Sequence, residues 1–214
     1  MVFNGRKYPH FLKFQFSALI LTRFWGGRLN GIDGNQSDVM ERFIILLRHG
    51  ESTDRQAGQT DFERTLTERG ERSILQLGDV LMNEKIFPDI IFSSNAVRTV
   101  QTTEAVSSVH KNYKPRIMYE PSLYQGTYEE YQHHISKIEL PYSTLMVVGH
   151  NPSISVLISS FTNNYIKALQ PGQAALIQIN DRADSNFKSL SGNFIKLIGP
   201  FLRAIEINFG GIRK

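Results

Sequence analysis

The chain has 214 residues, 41% of them apolar and 11% aromatic, which describes one globular domain with a sizeable core and excludes a disordered chain. It has no cysteine, which excludes disulfides, thiol catalysis and a cysteine-held zinc, and its six histidines never take the His-Glu-x-x-His spacing, so no metal is expected. Of the net charge of +4, residues 1–39 hold five cations against two acids, leaving 19 cations against 18 acids elsewhere, too scattered for a nucleic-acid groove.

Residues 1–39 read as a basic N-terminal extension ahead of a domain over residues 40–214. The best apolar run in the extension, Phe16 to Leu21, is too short for a secretory core and is followed by Arg23. No segment approaches the roughly 20 apolar residues of a membrane span, so no stable membrane insertion is expected. Three readings of the extension stand side by side. It is a start placed too early with Met40 the true one, an acid-poor organelle transit segment, or an amphipathic segment on a membrane surface. The domain itself is expected in the cytoplasm.

The first strand, Arg42 to Leu47, is an apolar run that delivers Arg48-His49-Gly50 to the rim of a sheet. A neutral imidazole nitrogen is a good phosphoryl acceptor, and an arginine beside it grips phosphate through a planar fork of donors. Glu51 to Thr65 is a polar loop over that rim. Thr67 to Lys85 reads as a helix, with Ile74, Leu77 and Leu81 at i, i+3 and i+7 and Thr67 as its cap. Asp89 to Phe92 is the second strand, and Ala96 to His110 a helix with Arg98 in its first turn. Arg116 to Tyr119 is a short extended piece. Thr127 opens a helix to about Glu139, with Glu130 completing a capping box. Leu145 to Val148 is a strand ending in Gly149-His150. Asn151 reads as the N-cap and Pro152 as the first position of a helix over Ser153 to Phe161. Gln173 to Ile179 and Phe194 to Leu197 close the domain as a strand pair around a loop from Asn180 to Gly192. Strands alternating with helices predict an α/β fold with helices on both faces of a mostly parallel sheet. Three strands thus carry Arg48, His49, Arg98 and His150 to their carboxyl ends, where open α/β sheets bind ligands and helix N-termini favour anions.

These residues resemble the histidine phosphatase superfamily, which shares the phosphoglycerate mutase-like fold, a three-layer α/β/α arrangement. The matching segments are Arg48-His49-Gly50-Glu51-Ser52, Arg64-Thr65-Leu66-Thr67 with Gly70, Ser93-Ser94 with Arg98-Thr99, and Gly149-His150-Asn151-Pro152. The resemblance spans about Phe43 to Pro200. Its Gly-His-Asn-Pro form is similar to one small branch, the SixA-like phosphohistidine phosphatases of bacterial phosphorelays. It implies that His49 is the nucleophile, that Arg48 and Arg98 bind phosphoryl oxygens, and that His150 completes the pocket. Arg64, Glu51 and Ser52 are candidate substrate-binding residues, with Arg64 either a third cation of the site or an exposed arginine before a helix. The superfamily's acid, placed after the second arginine, has Glu120, Ser122 and Tyr124 as candidates, so the general acid is unassigned. Where mutase relatives carry an asparagine, this chain has Arg55. The expected function is a metal- and cofactor-independent phosphatase working through a phosphohistidine, with a phosphohistidine protein as leading substrate. The rivals are a metabolite phosphomonoesterase or mutase, and an inactive module that only binds phosphorylated partners.

Overall fold

Strand β1 (Arg42–Arg48) is buried on both sides, and its alternation decides what each face of the sheet packs against. Ile44 and Leu46 enter one core, while Phe43, Ile45 and Leu47 enter the other. Each fully buried aliphatic side chain contributes about 1.5–3 kcal/mol over an exposed one. The computed structural model describes residues 42–109, 112–138, 142–163, 165–179 and 191–199. The N-terminal extension, His110, Glu139 and most of the loop from Asn180 lie outside the described residues.

After β1 come α1 (Glu68–Asn83), β2 (Ile90–Ser94), α2 (Val97–Ser108), β3 (Arg116–Glu120), a single 3-10 turn at Pro121–Leu123 and α3 (Tyr128–Ser136). Then follow β4 (Thr144–Gly149), α4 (Ser153–Thr162), β5 (Ala174–Ile179) and β6 (Gly192–Ile198). The six strands lie in the order β3-β2-β4-β1-β5-β6. The first four are parallel; β5 runs antiparallel to β1, and β6 antiparallel to β5. Ile74, Leu77 and Leu81 of α1 and Val106 of α2 pack on one face. Tyr131 and Ile135 of α3 and Ile154, Leu157, Ile158 and Phe161 of α4 pack on the other. The result is the three-layer arrangement expected, with a sheet that is mostly parallel.

Helix ends follow local chemistry. Thr67 accepts from the Gly70 amide at 2.9 Å and caps α1, and Thr127 and Glu130 form the capping box of α3. The start of α4 departs from expectation: Pro152 occupies the cap position without a side-chain bond, and Asn151 does not cap. Instead the Asn151 amide donates to the Leu169 carbonyl at 2.9 Å, and its oxygen accepts from the Ser155 hydroxyl at 2.7 Å. The oxygen, the atom that would cap, is taken by the Ser155 hydroxyl and not by a free amide of the helix. Among the described residues, no helix is long and apolar enough to cross a membrane.

The parallel register sets the site. Leu47 pairs with Val148, Arg48 with Gly149, and Ser93 with Val148, so β1, β2 and β4 finish along one edge.

Candidate active site

That edge gathers four of the predicted side chains. His49 and His150 stand with ring centroids 5.1 Å apart, and the guanidinium of Arg98 reaches both. Its Nε donates to His49 Nε2 and its Nη2 to His150 Nδ1, each at 3.4 Å. His49 and His150 are each only 9% exposed, and Arg98 6%.

The hydrogen bonds fix the tautomers. His49 Nδ1 lies 2.8 Å from the Gly50 carbonyl, which can only accept, so the proton sits on Nδ1. Arginine can only donate, so His49 Nε2 keeps a free electron pair toward Arg98. By the same logic His150 is unprotonated at Nδ1, and its Nε2 donates to Ser94 Oγ at 3.0 Å. Burial, aided by the nearby guanidiniums, pushes His49 down to about 4. Burial pushes His150 down to about 3, with His49 and Arg98 adding to the effect. Both imidazoles are therefore neutral near pH 7, and His49 is in the form a nucleophile requires.

The backbone holds this geometry from below. The His49 amide donates to the Gly149 carbonyl, and the Gly172 amide to the His49 carbonyl, at 3.1 and 2.9 Å. Thr102 accepts from the Gly50 amide at 3.1 Å and donates to the Arg98 carbonyl at 2.6 Å, which joins the end of β1 to α2. Under β4, the Tyr131 hydroxyl accepts from the His150 amide and donates to the Leu123 carbonyl. Arg48 anchors one nitrogen on the Leu169 carbonyl at 2.7 Å, while its Nε is buried with no hydrogen-bond partner. A buried donor without an acceptor is costly unless an anion supplies one.

The other candidates divide. Tyr124 joins the cluster: its ring lies 5.8 Å from the His150 ring, and the Arg98 guanidinium stands 5.8 Å from its centroid. Arg64 spends its donors on the loop itself: on the Thr53 carbonyl at 2.7 Å, on Asp61 at 2.9 Å and on Ser52 Oγ at 2.9 Å. Ser52 is thereby occupied by Arg64. Glu51 accepts from the Thr67 hydroxyl and faces Arg69, at the start of α1. Glu120 is not brought to the histidines. Its carboxylate lies 4.0 Å from His134 Nδ1, and Ser122 bonds to the Nε2 of the same ring. Among the described residues, no cluster of three or more histidine and carboxylate groups could hold a metal ion.

One residue of the cluster escaped sequence reading. The Asp61 carboxylate, from the loop before α1, meets Arg98 Nη2 at 2.9 Å, Arg64 Nη1 at 2.9 Å and the Tyr124 hydroxyl at 3.0 Å. The Arg64 hydrogen bond, then those from Tyr124 and Arg98, hold it down to about 2, so it is ionised. Its only sequence signal was an acid three residues before Arg64. The whole is a cation-rich cluster around two buried histidines, with an unprotonated imidazole nitrogen at its centre, suited to receiving and stabilising a phosphoryl group.

Known proteins resemble this chain in sequence and in fold. The histidine phosphatase superfamily (branch 1) model matches residues 44–136. An uncharacterized chloroplastic protein of Arabidopsis thaliana is 30% identical over 164 residues, 73% of this chain and 75% of that protein. A 6-phosphofructo-2-kinase/fructose-2,6-bisphosphatase of Aquarana catesbeiana is 33% identical over 98 residues, 45% of this chain and 21% of that protein. A structure assigned to phosphohistidine phosphatase SixA from Agrobacterium tumefaciens superposes with a TM-score of 0.60 at 25% identity, over 65% of this chain and 96% of that one. Protein histidine phosphatase SixA complexed with tungstate shares the fold, with a TM-score of 0.64 at 19% identity over 74% and 97% of the two chains.

Proposed function

The chain belongs to the histidine phosphatase superfamily and is a phosphatase; we propose that it acts on phosphohistidine in a protein substrate, through His49 and without a metal. His49 Nε2 attacks the phosphorus, the P–N bond to the substrate imidazole breaks, and a phosphohistidine forms on His49. Water then attacks that phosphorus, the bond to His49 Nε2 breaks, and inorganic phosphate leaves. Arg48 and Arg98 bind the phosphoryl oxygens and His150 faces the transferring group. Phosphoryl transfer asks mainly for this positioning and charge stabilisation.

The observation that carries the substrate class is the state of the carboxylates. Asp61 is ionised between two guanidiniums, and Glu120 is turned to His134. Tyr124, in the segment where the superfamily's acid is expected, bears a phenol raised above its ordinary value, first by burial. A site without a ready proton donor suits an imidazole leaving group and handles alkoxides poorly. The SixA structures are of phosphohistidine phosphatases, which supports the same substrate class, and the tungstate bound by one of them is the kind of oxyanion this site would take.

The test is a panel of phosphohistidine proteins, 3-phosphoglycerate and sugar phosphates, assayed with a chelator present. We expect turnover of phosphohistidine undiminished by chelation, poor turnover of the monoesters, and less than roughly tenfold change in Glu120→Gln. Efficient monoester hydrolysis abolished in Glu120→Gln would replace this reading with a metabolite phosphatase. Absence of cysteine suits the cytoplasm; it suits equally the chloroplast named for the Arabidopsis relative. Fusing residues 1–39 to a fluorescent reporter would decide between them.

A further inference from the structure

We propose that Asp61 is the positioning residue of the anion site: it grips the outer fork of Arg98 so that the inner fork stays turned to His49 and His150. This rests on the phosphatase reading of the site, and it adds a role for a loop residue that lies 37 positions from the arginine it holds.

A guanidinium has two usable forks, and here they are used differently. The outer fork, Nη1 and Nη2, is bonded to the Asp61 carbonyl at 2.6 Å and to Asp61 Oδ2 at 2.9 Å. The inner fork, Nε and Nη2, makes only the 3.4 Å contacts to His49 Nε2 and His150 Nδ1. Short charge-assisted bonds on one side and long ones on the other mean that the outer fork is committed and the inner fork is available. Phosphoryl oxygens arriving between the two imidazoles would replace the weak contacts and leave the strong ones in place.

Asp61 is itself pinned. Arg64 Nη1 holds one carboxylate oxygen, and the Tyr124 hydroxyl shares the other with Arg98. Arg64 is fixed in turn by the Thr53 carbonyl and Ser52 Oγ. The next residue, Phe62, accepts from the Val97 amide at 3.1 Å, which ties the loop to the first turn of the helix that bears Arg98. The loop from Glu51 to Thr65 thus sets the arginine's orientation, and Arg64 acts through Asp61. This explains why Arg64 belongs near the site while all three of its donor nitrogens face the loop.

The test is Asp61→Asn in the full chain, which keeps the size and one acceptor but loses the charged grip. Asp61 is 46% exposed at the side chain, so the fold should tolerate the change. We expect kcat to fall about 10- to 100-fold, as for a displaced catalytic group, with KM altered less than about threefold and Tm unchanged. The loss should be the same factor for p-nitrophenyl phosphate, a good leaving group, and for phenyl phosphate, a poor one, and Asp61→Glu should recover part of it. Arg64→Ala should lower kcat in the same direction by less. Three outcomes overturn the proposal: unchanged kcat; a loss confined to substrates with poor leaving groups, which would make Asp61 a proton donor; or a gain, which would make it a plug. The comparison uses whichever substrate the wild type turns over, so failure on phosphohistidine counts against the substrate reading and not against Asp61.

Discussion

Replacing Arg98 by lysine keeps the positive charge and removes the fork, and the structure says what that should cost. Arg98 uses three nitrogens in four contacts, two on Asp61 and one on each histidine. A lysine ammonium is one nitrogen on a flexible stem. Seated near Asp61, it can keep the ion pair, but it cannot also reach toward His49 and His150, so the inner donors are lost. Removal of one preorganised transition-state donor costs about 2.7–4 kcal/mol, or 10²- to 10³-fold in kcat. Arg98→Lys should lose at least the smaller factor. Stability should fall far less than enough to unfold the domain, on the order of 1–3 kcal/mol for the broken charged bonds. The assay is rapid-quench measurement of phosphoenzyme formation, with tungstate binding by calorimetry and Tm as a control on folding. Tungstate should bind the wild type and bind the variant more weakly. Turnover within about threefold of wild type, with tungstate binding intact, would refute the assignment of Arg98 to the phosphoryl seat and leave it a structural residue.

Two further expectations concern packing and protonation. A methyl group on Gly149 would overlap the Tyr131 hydroxyl and lie 2.6 Å from its Cε1, and Tyr131 is buried under the His150 amide. Gly149→Ala should therefore destabilise by about 1–3 kcal/mol, which calorimetry reads as roughly 2–4 °C of Tm per kcal/mol; an unchanged Tm would contradict the packing described. NMR titration of the imidazoles should find His49 and His150 neutral from pH 8 down to about 5, and a His49 midpoint near 6.5 would contradict its burial. The sign for stability follows. An unfolded histidine takes its proton near 6.5 and the folded His49 near 4, so the contribution is complete above 6.5. It is lost as pH falls through that window, on the order of 3 kcal/mol once the pH is below about 4.

What could be read from sequence was what local chemistry writes locally. The apolar runs ending in Arg48-His49-Gly50, Ser93-Ser94 and Gly149-His150 announce strands that deliver functional groups, and their parallel register follows from the helices between them. Thr127 with Glu130 announces a helix start by itself. Asp61 was illegible because nothing in an aperiodic loop indicates which cation a carboxylate will meet, and its partners Arg98 and Tyr124 lie 37 and 63 positions away. Asn151 misled for a related reason. Its amide nitrogen is held by a distant carbonyl, that of Leu169, and its oxygen, the atom that would cap, accepts from the Ser155 hydroxyl. Glu120 shares register with Ser94 in the sheet, yet its side chain is turned to His134 of α3, a choice that depends on where that helix packs.

The central claim is that His49 carries the phosphoryl group. It is tested most directly by mixing the enzyme with a phosphohistidine donor, quenching at alkaline pH, where the P–N bond survives, and mapping the modified peptide by mass spectrometry. The account predicts a phosphoryl group on His49, in the peptide bearing Arg48-His49-Gly50, and none in His49→Ala. A phosphoryl group trapped on His150, or turnover persisting in His49→Ala, would contradict it.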